Sequence, residues 1–349
     1  MKSYKLVTFA VLLFCLVQAQ AADAPRGVVE TIVVHGKALE GNLDGDSPDR
    51  QVSVLLPPSY AKSRNKRYPV LYFLHGYTDS NERWFGAAKH FINLPDAVNN
   101  AWAAGASEMI VVMPNAYTRF QGSMYSRSVV VGDWETFIVR DLVNYIDKRY
   151  RTIANVNSRG LAGHSMGGYG AMRIGMKHPE TFSALYALSP CCMEFAPGGN
   201  QPNDAGRAAE AIKTMEEFEK ASFYIKAQFA SAAAWAPNPK NPPFYIDLPT
   251  ANGQTRPQVI AKFMANAPLA MIDQYMGNLK LMRGIAVDAG DMDNPIAGTV
   301  RTLHETLDAN GVRNDFEIYS GDHVNRIAER VTSKVMPFFS MHLAKDQKR

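Results

Sequence analysis

The chain has 349 residues, and its 37 Lys and Arg against 33 Asp and Glu leave a formal charge of +4. That is too balanced for a nucleic-acid or anionic-membrane surface. Three cysteines, two of them adjacent, are too few for a disulfide-stapled scaffold, and the length suits one large α/β domain or one carrying an insertion.

Lys2 and Lys5 precede the apolar run Leu6 to Val17, and Ala19-Gln20-Ala21 follows as a small-x-small cleavage site. This is the pattern of a secretory signal peptide cut after Ala21, so a secreted or periplasmic protein is expected. The run is short for a membrane span, and no later stretch reaches that length. Phe14 before Cys15 argues against lipid attachment.

Val28–Val34 and Gln51–Leu56 are β-rich runs separated by a turn from Gly41 to Pro48. Asp44, Asp46 and Asp49 cluster there without the spacing of an EF-hand loop, and a solvated turn is expected. Tyr68–Leu74 is continuously apolar, the mark of a buried strand, and it breaks into His75-Gly76-Tyr77-Thr78-Asp79. Glu108–Met113 is a second buried strand, closed by Pro114. The loop from Asn115 to Gly132 is long and aromatic, which marks it as functional. Asp133 then caps an amphipathic helix with Trp134, Phe137, Ile138, Leu142, Tyr145 and Ile146 at core spacing.

Gly160 to Gly168 reads as a short apolar strand running through a tight turn into a helix, about Tyr169 to Lys177, that His178-Pro179 terminates. Phe182–Leu188 is the next strand. The alternation predicts a doubly wound, mostly parallel sheet. Cys191 and Cys192 are too close in sequence for an ordinary disulfide and read as small buried hydrophobes. From Met193 to about Leu279 the rhythm breaks. A helical pattern (Ala208 to Phe229), a Pro/Asn/aromatic stretch (Trp235 to Tyr245) and short helices predict an inserted helical cap over roughly 193–279. That stretch either lines a cleft or is a packed loop. The wound pattern resumes with strand Gly284–Ala289 into Gly290-Asp291-Met292-Asp293. Helix Thr299 to Ala309 ends at Asn310-Gly311. Strand Asp315–Tyr319 breaks into Ser320-Gly321-Asp322-His323, and a last helix covers Asn325 to Leu343.

Gly163 and Gly167 flank Ser165 in the G-x-S-x-G spacing. A serine in such a strained turn exposes Oγ above the sheet, and a side chain at either glycine would meet the neighbouring strand or helix. A serine hydroxyl needs a base, and the base an orienting acid, which hydrolases of this architecture carry on loops after late strands. Of eight histidines, only His323 lies in such a loop. His35 falls in an early strand, His90, His304 and His342 on helices, and His178 at a helix end. His75 lies in the strand before the His-Gly turn, and His164 beside Ser165, pointing elsewhere. Asp293 is preferred as the acid, Asp291 is the alternative, and Asp288 falls inside the apolar run. The N–H groups of Met166 and Tyr77 are the candidate oxyanion donors. There is no P-loop, His-Glu-x-x-His, Cys-x-x-Cys or dinucleotide glycine fingerprint, so neither metal nor cofactor is expected.

Leu74-His75-Gly76-Tyr77, Gly132-Asp133-Trp134-Glu135, Gly163-His164-Ser165-Met166-Gly167-Gly168, Gly290-Asp291-Met292-Asp293 and Gly321-Asp322-His323 occur in the order seen in the esterase D-like family of α/β-hydrolases. The chain resembles that family, which includes S-formylglutathione hydrolases, feruloyl and acetyl-xylan esterases, enterobactin-type esterases and mycolyltransferases, from about Gly27 to Leu343 apart from the cap. The resemblance implies an α/β-hydrolase fold with Ser165 as nucleophile, His323 as general base and acid, Asp293 as orienting acid, and Met166 and Tyr77 as oxyanion hole. It implies no cofactor. The long cap and the 115–132 loop are expected to shape the acyl and alcohol pockets. The export signal speaks against the cytosolic formylglutathione subgroup. The expected function is an exported serine esterase acting on a small-molecule or carbohydrate-linked ester, without nucleic acid or stable membrane insertion. An acyltransferase with the same triad and an inactive hydrolase-fold binding protein are the alternatives. The oligomeric state stays open.

Overall fold

The computed structural model describes residues 25–195 and 204–345, and the expected signal peptide lies outside them. Eight strands make the main sheet: β1 (Val28–His35), β2 (Asp49–Leu56), β3 (Val70–Leu74), β4 (Ile110–Pro114), β5 (Arg159–His164), β6 (Ala184–Leu188), β7 (Gly284–Gly290) and β8 (Asp315–Tyr319). Their order is β1-β2-β4-β3-β5-β6-β7-β8. β2 pairs antiparallel with both β1 and β4, and every pairing from β4 to β8 is parallel.

Every residue of β3, β4 and β6 is buried, which explains their unbroken apolar character. Strand alternation sorts those residues onto two faces. Tyr72 and Leu74 join one core with Leu161, Met172 and Ile174. Leu71 and Phe73 join the other with Val98, Val331 and Phe339. β1 is an edge strand, and its Val28, Val29 and Val33 are exposed while Ile32 and Val34 are buried.

Asp133 caps the helical run as its position predicts, accepting from the Thr136 N–H at 2.9 Å. The run passes through Trp134–Thr136, a π-helical Phe137–Leu142 and Val143–Arg149. It carries a buried carboxylate, Glu135, against the helix Met166–Lys177. Glu135 pairs with Arg173, Lys177 and His178. Burial pushes this carboxyl up, but the three basic partners outweigh it and hold the carboxyl well below its ordinary range.

Between β6 and β7 the described chain forms helices Asp204–Glu210, Met215–Lys220, Phe223–Trp235, Pro257–Met264 and Pro268–Leu279. The single helical pattern expected over Ala208 to Phe229 is therefore three helices. Thr214 and Glu217 form a capping box that starts a new helix inside the apolar periodicity. The Trp235–Tyr245 stretch is a packed loop. Trp235 Nε1 donates to Ser126 Oγ at 3.2 Å, and the Phe244 ring sits 5.0 Å from Phe229. The last helix starts at Ile327, after Asn325 Oδ1 has accepted the Asp322 N–H in a turn, and contains a π segment at Val331–Val335.

Three further expectations change. His90 lies in the loop after the short helix Asn81–Trp84, where its Nε2 pairs with the Asp79 carboxylate at 2.9 Å. In the acidic turn, Asp46 and Asp49 meet solvent but Asp44 is buried, and burial, with Asp46 beside it, pushes its carboxyl up to about 7. Cys191 and Cys192 are half-buried and unpaired rather than core residues. Among the described residues, no helix is long and apolar enough to cross a membrane.

The Glu135 cluster generates a prediction. Its depressed carboxyl contributes stability above the ordinary carboxylate pKa of about 4.3, and loses it as pH falls through the folded value. His178 is raised, chiefly by its hydrogen bond to Glu135, so its contribution is complete below about pH 6.5 and fades as pH rises through the folded value. Glu135→Gln should lower the unfolding free energy by about 3 kcal/mol in urea titrations. The deficit should be widest between about pH 4.5 and 6.5 and narrow on either side. A deficit independent of pH would rule out this electrostatic account.

Candidate active site

Ser165 sits between the end of β5 and the first turn of the helix Met166–Lys177, with φ 55° and ψ −115°. That strained backbone explains the glycines on either side. A Cβ on Gly163 would lie 2.2 Å from the Gly167 carbonyl oxygen, and one on Gly167 would lie 1.9 Å from the Leu74 carbonyl oxygen at the end of β3. The first steric conflict is with the helix and the second with the neighbouring strand. The Ser165 N–H donates to Leu188 O at 3.0 Å, and its carbonyl accepts from Tyr169 N at 2.9 Å and Cys191 N at 3.2 Å.

The loops after β7 and β8 interlock above this turn. Gly290 must be glycine because a Cβ there would reach 2.2 Å from Gly321 O. Asp291 N donates to Tyr319 O at 2.8 Å, and Asp291 Oδ1 accepts the Gly321 N–H at 3.0 Å. Asp322 Oδ1 accepts from both Val324 N and Asn325 N at 2.8 Å. These bonds aim His323 at the serine. Its Nε2 is 2.9 Å from Ser165 Oγ, and its Nδ1 is 2.7 Å from Asp293 Oδ2. The three late aspartates thus have separate partners. Asp293 meets the imidazole and Asp291 ties the two loops together. Asp288, inside β7, accepts from Tyr186 OH at 2.8 Å and pairs with Arg330 at 2.6 Å.

His164 does not point away from the site. Its Nε2 lies 2.8 Å from the carbonyl oxygen of His323, and the two rings are 4.7 Å apart. Burial, with His323 nearby, pushes its pKa down to about 3, so the neutral imidazole donates and holds the His323 backbone. The strand's alternation carried this signal, since Ala162 packs in the core beside the last helix and His164 is two residues on.

The His75-Gly76-Tyr77 turn lies beside the serine. A Cβ on Gly76 would be 3.6 Å from Ser165 Cβ. His75 is buried, which pushes its pKa down to about 4. Its Nε2 accepts from Ala116 N at 2.8 Å, and its Nδ1 donates to Gly76 O at 2.8 Å. Among the described residues, neither the Tyr77 nor the Met166 N–H donates a hydrogen bond. The 115–132 loop braces this turn from behind. Phe120 O accepts from Tyr77 OH at 3.1 Å, Gln121 O accepts from Thr78 N at 3.0 Å, and His75 O accepts from Tyr125 OH at 3.1 Å. Gly122 leaves room for Tyr77 and Met166, each within 2.7 Å of where its Cβ would stand. The loop was expected to shape the pockets, and its contacts brace from behind the turn that lines the cleft.

A cleft of about 650 Å³ opens over Ser165 and His323. Its lining includes Tyr77, Phe91 and Phe223, together with Arg83, Lys89 and His90. Phe223 comes from the segment between β6 and β7, and its ring is 5.6 Å from Tyr77. Phe91, Arg83 and Lys89 belong to no periodic pattern or recognised spacing, and Phe223 falls inside a helical pattern that does not say which way its ring faces. Among the described residues, no group of three or more His, Cys, Asp or Glu side chains is arranged to hold a metal.

The strand order, with β2 antiparallel in an otherwise parallel sheet and a serine at the turn after β5, is that of an α/β-hydrolase. Residues 47–327 match the family described as "Putative esterase", and the chain belongs to that family. It is 34% identical over 139 residues to Esterase Rv1288 of Mycobacterium tuberculosis, a match covering 40% of this chain and 28% of that protein. It is 31% identical over 141 residues to an endo-1,4-beta-xylanase/feruloyl esterase of Xylanibacter ruminicola, covering 39% of this chain and 19% of that protein. The chain thus spans under a third of the length of these relatives. Among solved structures, a ferulic acid esterase superposes with a TM-score of 0.65 at 23% identity, covering 91% of this chain and 99% of that one.

The glycine contacts make opposite predictions at two positions. Gly167→Ala should cost about 3 kcal/mol of stability, because neither backbone at the Leu74 contact can yield. Gly277, on the helix Pro268–Leu279, has open space where its Cβ would stand. Gly277→Ala should therefore stabilise by about 0.5–1 kcal/mol. Urea denaturation of both variants checks the pair, and equal effects would contradict the geometry.

Proposed function

We propose that this protein is an exported serine carboxylic-ester hydrolase that works through an acyl-enzyme. The observation that carries the reading is the unbroken hydrogen-bond chain from Ser165 Oγ through His323 to Asp293, at 2.9 and 2.7 Å. In this scheme His323 Nε2 takes the Ser165 proton as Oγ attacks the ester carbonyl. The Asp293 carboxylate holds the Nδ1–H tautomer and stabilises the imidazolium. The developing oxyanion is received by the free N–H groups of Met166 and Tyr77. His323 returns the proton to the departing alcohol, then activates a water that releases the acid. The His323 side chain is 36% exposed, which gives water a route to the acyl-enzyme.

Export rests on the Lys2 to Ala21 pattern. For the substrate, the relatives named as feruloyl esterases and the aromatic walls of the cleft support a small-molecule or carbohydrate-linked ester with a planar ring.

A fluorophosphonate probe tests the nucleophile. The wild type should be labelled and Ser165→Ala should not, whereas equal labelling of the two would overturn the reading. The acid is tested by paired substitutions. Asp293→Asn should lower kcat about 10⁴-fold by favouring the wrong imidazole tautomer. Asp291→Asn, which weakens only a loop tie, should lower it less than about tenfold. The reverse ranking would transfer the role to Asp291.

A further inference from the structure

Two adjacent thiols lie on the turn that is hydrogen-bonded to the Ser165 backbone, and the esterase mechanism leaves both unused. The turn after β6 carries positive φ at Ser189 (41°) and Cys192 (60°). This reversal brings the neighbouring side chains together, and the Cys192 thiol donates to Cys191 Sγ at 2.8 Å. Cys191 is also tied to the elbow. Its N–H donates to Ser165 O at 3.2 Å. Both cysteines are half-buried, and neither is in a disulfide.

We propose that Cys191 and Cys192 form a redox-active vicinal dithiol, which a low-molecular-weight disulfide oxidises to an intramolecular disulfide, and that this ring closure perturbs the Ser165 site. The Cys192 thiolate attacks one sulfur of the small disulfide, whose S–S bond breaks and releases one half as a thiol after protonation. The Cys191 thiolate then attacks Cys192 Sγ and expels the other half. The protein loses two protons and two electrons, and the small disulfide is reduced to two thiols. Adjacent Cα atoms are about 3.8 Å apart across a trans peptide, below the usual disulfide range of about 4.4–6.8 Å. Such a ring belongs with the labile, reversible disulfides and not with structural staples.

Closure pulls Cys191 Sγ toward Cys192, on the residue whose N–H holds the Ser165 carbonyl. The full chain should be incubated with oxidised glutathione, alkylated, and mapped by mass spectrometry, with ester hydrolysis followed in parallel. The expected result is a peptide containing both cysteines that escapes alkylation, has lost two hydrogens, and is restored by dithiothreitol. kcat/KM should fall roughly fivefold on closure and recover on reduction. Cys192→Ser, treated identically, should form no such ring. Full alkylation of both thiols, glutathione adducts without ring closure, or closure with unchanged kcat/KM would each overturn the proposal. The catalytic coupling rests on Ser165 being the nucleophile. The mass measurement does not, so failure of the esterase reading and failure of the dithiol are told apart.

Discussion

The active centre depends on the meeting of two backbones, the first turn of the elbow helix and the carboxyl end of β3. Gly167 packs so tightly against the Leu74 carbonyl that no side chain fits, and Gly163 is pressed against Gly167 in the same way. This contact sets the height of Ser165 above the sheet and brings it beside Gly76, so one steric constraint places the hydroxyl and the free N–H of Tyr77 in the same small volume. The fixed glycine spacing in the sequence is the trace of that constraint.

Around this point the environment sorts identical side chains into different tasks. His75 and His164 are buried and held neutral, and each spends its ring on a backbone group: His75 clamps the turn, His164 the His323 carbonyl. His323 alone of the three keeps a substantial exposed surface and faces both a hydroxyl and a carboxylate. The aspartates divide in the same manner. A carboxylate two residues from another can differ from it completely in role, because the β7 loop turns between Asp291 and Asp293.

This division explains which parts were legible in the sequence. The central strands were readable because burial on both faces demands continuous apolar runs, and the positions of Ser165, His323 and Asp293 were readable because each lies where such a run ends. Periodicity misled where a local hydrogen bond overrode it, as at the Thr214–Glu217 capping box and the Asn325 turn. The split between Asp293 and Asp291 needed three-dimensional loop contacts, which spacing does not encode. The cleft walls were least legible. Phe223 and Phe91 come from segments far apart in sequence, one opening a helix and one in a loop, and neither position marks what the ring will face.

The buried pair of Asp288 and Arg330 has a mechanical consequence. Asp288 lies on the strand that leads to Asp293, and Arg330 on the helix that follows His323; Tyr186 on β6 closes the junction. The two loops that present carboxylate and imidazole are therefore anchored to one node, fixed in a position away from solvent. A substitution that loosened that node would therefore disturb the Asp293 and His323 loops together.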